Sequence, residues 1–198
     1  MAHVSAEVRR ELLVDAAIRV MIRDGVGAAT TRAIVGEANM PLGAFHYCFR
    51  SKQELLEQVI AAITNTHLDR ALEDVTGDGS MEERLLRGVR AYWDHVVRLP
   101  EEHRLTYELS QYAARRPGLR EVAQRQYATY LAAHTRVLEA LADAEHITWS
   151  VPEPVLARYF TGLIDGITLL YLNEGDAVTA GASLDLAAQQ IASYARSA

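Results

Sequence analysis

The most chemically pointed stretch of the chain is TTRAIVGEANMPLGAFHYCFRSKQELL, running from Thr30 to Leu56. It holds Lys52, the single lysine of a sequence whose other fixed positive side chains are all arginines. Thr30, Thr31 and Arg32 stand at the expected start of one short helix, and Lys52 stands in the first turn of a later one. A helix start already presents unpaired N–H groups and the positive end of the macrodipole, so it suits an anion and disfavours a lysine. A bound phosphate reverses that sign, because the lysine and the N–H groups then converge on one charge. Between the two anion sites lies LGAFHYC. Phe45 and Phe49 are four apart and can face inward together, which leaves Leu42, Gly43, Ala44, His46 and Tyr47 outward. Gly43 and Ala44 allow close backbone approach, His46 and Tyr47 can bond phosphate oxygens or base edges, and Leu42 offers apolar contact. Such a face suits the major groove of DNA, held in register by phosphate contacts on either side.

Several elements must position these residues. Apolar residues at helical spacing (Val8, Leu12, Leu13, Ala16, Ala17, Val20) predict a first helix from about Ser5 to Asp24, stopped by Gly25. Thr30 caps TRAIVGEA, whose inner face is Ile34, Val35 and Ala38. Asn39 tolerates a left-handed turn, and Pro41 is expected as the first residue of the helix PLGAFHYCF. Two helices of about eight residues joined by a short turn make a helix-turn-helix. Ser51 and Glu54 form an expected capping box for a long helix that ends near TGDGS.

On these residues the segment resembles the DNA-binding region of the TetR family of bacterial transcriptional regulators. That pattern runs through a Thr-rich helix start, an apolar helix, Ala-Gly-Val, Ser-x-Gly-x-Leu-Tyr-x-x-Phe and Ser-Lys-x-x-Leu. The resemblance covers roughly residues 8–60. Asn39, Pro41, Ala44, His46 and Cys48 depart from it, so no operator sequence carries over from a relative. The resemblance implies a C-terminal ligand pocket and a two-fold dimer.

The bulk numbers are compatible with that reading. The chain has 198 residues, 49% hydrophobic and 23% charged, with a net charge of −6. Residues 1–52 carry seven Lys and Arg against five Asp and Glu, a net +2, and the remainder carries −8, which together give −6. A basic end on an acidic chain hints at a polyanion partner. The charged N-terminus has no signal core and no apolar run approaches a bilayer span, so a cytoplasmic protein with no membrane partner is expected. With one cysteine there is no internal disulfide, and Cys48 reads as a small apolar filler. The seven histidines include no pair at i, i+3 or i, i+4, so neither metal nor cofactor is expected.

No alternating run predicts a strand, and about nine helices are expected in an all-α fold. The N-terminal three-helix DNA-binding domain with its helix-turn-helix takes residues 1–50. A helical ligand-binding and dimerisation bundle takes 51–198. Eight of the nine tyrosines and both tryptophans fall after residue 90. Tyr92, Trp93, Tyr107, Glu108, Gln111, Tyr112, Tyr127 and Phe160 are the candidates for lining a mostly apolar pocket with a few hydrogen bonds. VLARYFTGLIDGITLLYL is apolar nearly all round, as a helix buried on most sides is. Gly162 and Gly166 permit close helix approach there. Leu184, Ala188 and Ile191 of the last helix are the expected partner stripe of a four-helix dimer interface. The resulting expectation is a dimeric repressor released from a pseudo-palindromic double-stranded DNA operator by a small-molecule effector. The alternatives are a helical enzyme or a protein-interaction module using the aromatic pocket. Both leave the Thr30–Lys52 constellation unexplained.

Overall fold

A computed structural model describes residues 5–75 and 77–197, with the side chains of 64–75 excluded. Nine helices lie among the described residues: α1 (Ala6–Asp24), α2 (Thr31–Glu37), α3 (Leu42–Cys48), α4 (Lys52–Val75), α5 (Met81–Arg98), α6 (Pro100–Ala114), α7 (Arg120–Glu145), α8 (Glu153–Glu174) and α9 (Ala177–Ala192). The chain forms two compact units that do not follow chain order. The first takes residues 1–65 and 101–126, and the second takes 66–100 and 127–198. Thus α6 and the first turns of α7 pack with the N-terminal helices.

The helix ends follow local chemistry. The Ser5 hydroxyl accepts the Val8 N–H and opens α1. Gly25, at φ +84°, closes it with an N–H bond to Met21, a backbone conformation that side chains rarely adopt. Ser80 and Glu83 form a reciprocal capping box at α5. Pro100 does not merely stop α5; it is the first residue of α6, where its missing N–H costs nothing.

Three expectations need correction. Val8 and Leu12 are exposed, and Val14 and Met21 join Leu13, Ala16, Ala17 and Val20 in the buried stripe of α1. Two strands exist, β1 (Ile147–Trp149) and β2 (Ala195–Ser197), paired antiparallel with Thr148 opposite Arg196. Three residues each are too few to show a period of two, and their pairing joins segments far apart in sequence. Finally, α8 is apolar enough over 18 residues, at a hydropathy of 1.3, to pass a length-and-composition test for a membrane span. A domain's core helix passes the same test. Here Leu156, Ala157, Phe160 and Ile164 of α8 are buried in the core of the second unit.

That core joins Leu85 and Val89 of α5, Val137, Leu138 and Leu141 of α7, the α8 residues just named, and Leu184, Ala188 and Ile191 of α9. Gly181 lets α9 lie close to α5, since a Cβ there would meet Trp93 Nε1 at 2.8 Å. Leu184, Ala188 and Ile191, assigned from sequence to a partner subunit, are each 0% exposed within this one chain. They close the chain's own core, because the α9 stripe with the most regular spacing is the one that packs on α5 and α8. The apolar residues left outside are Val155, Tyr159, Leu169 and Leu170 of α8 and Val178 and Leu186 of α9. Gly162 and Gly166 lie on that exposed α8 face, with open space where a Cβ would be.

Candidate DNA-contact site

The first unit is organised around a short exposed helix. Phe45 and Phe49 are 3% and 1% exposed, and their rings meet at 5.5 Å. They sit on a core of Leu13, Ala17, Val20, Ile34, Leu55 and Leu56, extended by Leu105 and Leu109 of α6. With that face buried, the other side of α3 is turned outward. Tyr47 is 71% and Leu42 41% exposed, Gly43 and His46 are exposed, and Ala44 is half-buried. The turn before α3 has Asn39 at φ +53°, the left-handed conformation expected there. Pro41 is the residue before the helix rather than its first, and no side chain caps α3.

The two flanking helix starts are as the residue types require. The Thr30 hydroxyl accepts the Ala33 N–H at 3.2 Å, with Thr31 half-buried and Arg32 exposed. At α4 the Ser51 hydroxyl accepts the Glu54 N–H at 3.1 Å. The return half of the expected box is altered, because Glu54 Oε2 accepts the N–H of Arg50 instead, at 2.8 Å. Lys52 lies at the first position of α4 with Nζ 5.7 Å from the centre of the Tyr112 ring. An electron-rich ring face offsets part of the cost of a cation at a helix start.

Sequence reading missed the residues that hold α3 in place. Arg10 of α1 donates to the carbonyl of Cys48, the last residue of α3, at 2.7 Å. Its other nitrogen donates to Glu54 Oε1 at 2.6 Å, and the guanidinium lies 4.6 Å over the Phe49 ring. The bond from the Arg50 N–H, and then that from Arg10, hold the Glu54 carboxyl below its usual range. This contribution to stability is present above the ordinary carboxylate pKa and is lost as pH falls through the depressed value. A second tie binds α2 to α1, where Glu37 accepts from Arg19 at 3.0 Å and from Arg23 at 2.9 Å. These partners stand 38, 44, 18 and 14 residues apart, so no local motif announces them. Three of the arginines counted as a polyanion signal are therefore structural ties.

We expect Arg10→Met to lower affinity for a specific DNA site on the order of tenfold, roughly one charge-assisted hydrogen bond. The slope of log affinity against log salt should not change, because the Arg10 guanidinium is engaged by the Cys48 carbonyl, Glu54 and the Phe49 ring. Anisotropy titrations at three salt concentrations read both quantities. A slope reduced by about one would make Arg10 a phosphate ligand instead.

The eight expected pocket residues divide between the units. Tyr107, Glu108, Gln111 and Tyr112 belong to the first, and Tyr92, Trp93, Tyr127 and Phe160 to the second. Two of the first group are taken up locally. Glu108 Oε1 accepts the Val26 N–H at 2.9 Å, tying α6 to the turn after α1, and the Tyr112 ring lies under both Lys52 and Arg116. In the second unit the Tyr92 hydroxyl meets Thr168 Oγ1 at 2.9 Å. The Phe160 ring lies 5.2 Å from His134, and the Trp93 ring 4.7 Å from Tyr171. Among the described residues no group of three or more His, Cys, Asp or Glu could hold a metal ion.

Known proteins bear out the DNA reading. Residues 13–59 match the family model of bacterial regulatory proteins of the tetR family. Residues 81–196 match the C-terminal model of BetI-type transcriptional repressors. The chain is 32% identical over 165 residues to the HTH-type nicotine-responsive transcriptional repressor HdnoR of Paenarthrobacter nicotinovorans, covering 82% of this chain and 83% of that one. Among solved structures it resembles the multidrug binding protein EbrR complexed with imidazole, at 26% identity, a TM-score of 0.63, and coverage of 90% and 94%. The FadR regulator of Bacillus subtilis in complex with stearoyl-CoA shares the fold at 15% identity and a TM-score of 0.76, with coverage of 91% and 96%. A short helix turned outward on a buried phenylalanine pair and flanked by two helix starts thus has the matching sequence and fold around it. The chain belongs to the TetR family of bacterial regulatory proteins, and it is a DNA-binding transcriptional regulator rather than an enzyme.

Proposed function

We propose that the chain acts as a homodimeric repressor, that α3 enters the major groove of a pseudo-palindromic operator, and that a small organic effector in the second unit releases it. The single observation that carries the groove assignment is the outward face of α3 over the buried Phe45–Phe49 pair. Leu42, Gly43, Ala44, His46 and Tyr47 read bases. Thr30, Thr31, Arg32 and Lys52 hold phosphates at the two helix starts. Two copies are required because a palindrome is read by two such helices about one DNA turn, ~34 Å, apart. The dimer face is the exposed apolar side of α8 and α9, where Leu170 is 59% and Leu186 64% exposed, together with Gly162 and Gly166. Tyr92, Trp93, Tyr127 and Phe160 are the candidates for the effector site. An effector acts by binding one arrangement of the two readers better than the other, and shifts the equilibrium only by that difference.

Selection of bound sequences from random duplex DNA is expected to recover a pseudo-palindrome. On that site, Lys52→Ala should weaken binding to every sequence and lower the salt slope by about one phosphate's worth. Tyr47→Ala should change which sequences are preferred. Recovery of no motif by protein that has been refolded free of small molecules would refute the reading, and an unchanged salt slope would remove Lys52 from the phosphate set.

A further inference from the structure

The apolar helix α8 carries one polar stripe. Thr161, Asp165 and Thr168 stand at i, i+4 and i+7 on a single face. Thr161 and Thr168 are buried, and each end of the stripe has a partner from another helix of the same unit. The Thr161 hydroxyl donates to the Ala157 carbonyl at 2.8 Å, so it accepts from His134 Nδ1 at 2.7 Å. That bond places the imidazole proton on Nδ1 and leaves Nε2 as an acceptor. Burial pushes the His134 pKa down to about 4, so the ring is neutral at pH 7. At the other end Tyr92 of α5 meets Thr168.

Asp165 lies between these two contacts. On α7, Tyr127, Tyr130 and His134 recur at i, i+3 and i+7, which places them on one face of that helix. The Tyr127 and Tyr130 rings pack edge to face at 5.8 Å. Tyr127 is hydrogen-bonded to Asp165. Burial, then the charge of Asp165 and that bond, push the Tyr127 hydroxyl up to about 12. The same carboxylate acts on the Tyr92 hydroxyl, which is raised chiefly by burial.

The seam therefore gathers a carboxylate, three phenol rings and a neutral imidazole. Ring faces and a carboxylate both attract a cation and repel an anion, and the attraction to the rings grows when water is excluded. We propose that this seam is the effector subsite and that it selects an organic cation, a protonated or quaternary amine on an apolar body, with Asp165 as its countercharge and Tyr127 and Tyr130 as its ring contacts. This rests on the reading of the chain as an effector-released repressor.

The test uses two probes of one shape, benzyltrimethylammonium and its uncharged carbon isostere neopentylbenzene. Each is titrated by calorimetry into the full-length protein and into preformed protein–operator complex. We expect the ammonium to bind at least tenfold more tightly than the isostere. Asp165→Asn should abolish that preference while leaving operator affinity unchanged, and Asp165→Glu should restore part of it. Tyr127→Leu, which leaves the carboxylate in place, should reduce the preference severalfold and serves as the second variant should Asp165→Asn not fold. Equal or tighter binding of the isostere, binding of neither probe, or a preference that survives Asp165→Asn would each overturn the proposal. The two readings separate cleanly. Release of operator by the isostere as readily as by the ammonium leaves the repressor standing and removes the cation site. An Asp165-dependent preference without release keeps the site and removes the effector role.

Discussion

Phe49→Ala is expected to lower the unfolding free energy by about 3–5 kcal/mol, the usual range for truncating a fully buried aromatic side chain. Phe49 is 1% exposed and touches the ring of Phe45 on one side and the guanidinium of Arg10 on another. The deletion leaves a cavity under α3, which has only seven residues and no side-chain cap. So short a helix is not stable alone and holds its shape through packing. The protein that remains folded should therefore lose specific operator affinity as well, while its non-specific affinity, which depends on the phosphate contacts, changes little. Urea unfolding followed by circular dichroism measures the first effect, and competition with random duplex DNA measures the second. A loss below about 1 kcal/mol would mean that α3 collapses onto the vacancy without cost, and that the phenylalanine pair does not set the reader's shape.

The second large effect is a dependence on pH. His134 is half-buried beside Thr161 and Phe160, and the loss of water around its ring lowers its pKa to about 4 from an ordinary value near 6.5. Its neutral form is the folded form, so the unfolded chain binds the proton more readily between those two values. Stability is thus fully present above about pH 6.5 and declines as the pH falls towards 4, by about 3 kcal/mol in all from this residue. His134→Gln has no group to titrate there. The difference between wild type and variant in unfolding free energy should shift by about 1–2 kcal/mol between pH 7 and pH 5.5. Parallel curves over that interval would show that the folded protein lets the His134 ring take up its proton as readily as the unfolded chain does, and would remove the neutral imidazole from the seam.

The helices were legible because their causes are local. Gly25 ends α1, Thr30 and Ser51 accept the N–H groups expected of caps, and Asn39 takes the left-handed turn. Phe45 and Phe49, read as inward from their spacing alone, are inward. The same period that buried them turned Leu42, His46 and Tyr47 outward, so the exposed face of α3 follows from the order of residues.

Whatever depends on which element meets which was not legible. Leu184, Ala188 and Ile191 have the spacing of an interface, and a helix cannot show from its own sequence whether the surface it covers belongs to its chain or to another. Packing on α5 and α8 settled that for these three. Glu108 and Tyr112 had the chemistry of pocket residues, and tertiary contact spends them on the Val26 N–H and on Lys52. Arg10 was one charge among twenty until the fold brought it to the end of α3 and to Glu54. By itself the sequence determined where helices start and stop and which side of α3 is buried, because capping and periodicity act within a few residues. Only the tertiary structure decided which charges became ties and which apolar stripe stayed exposed, because those outcomes depend on contacts between segments that sequence spacing does not relate.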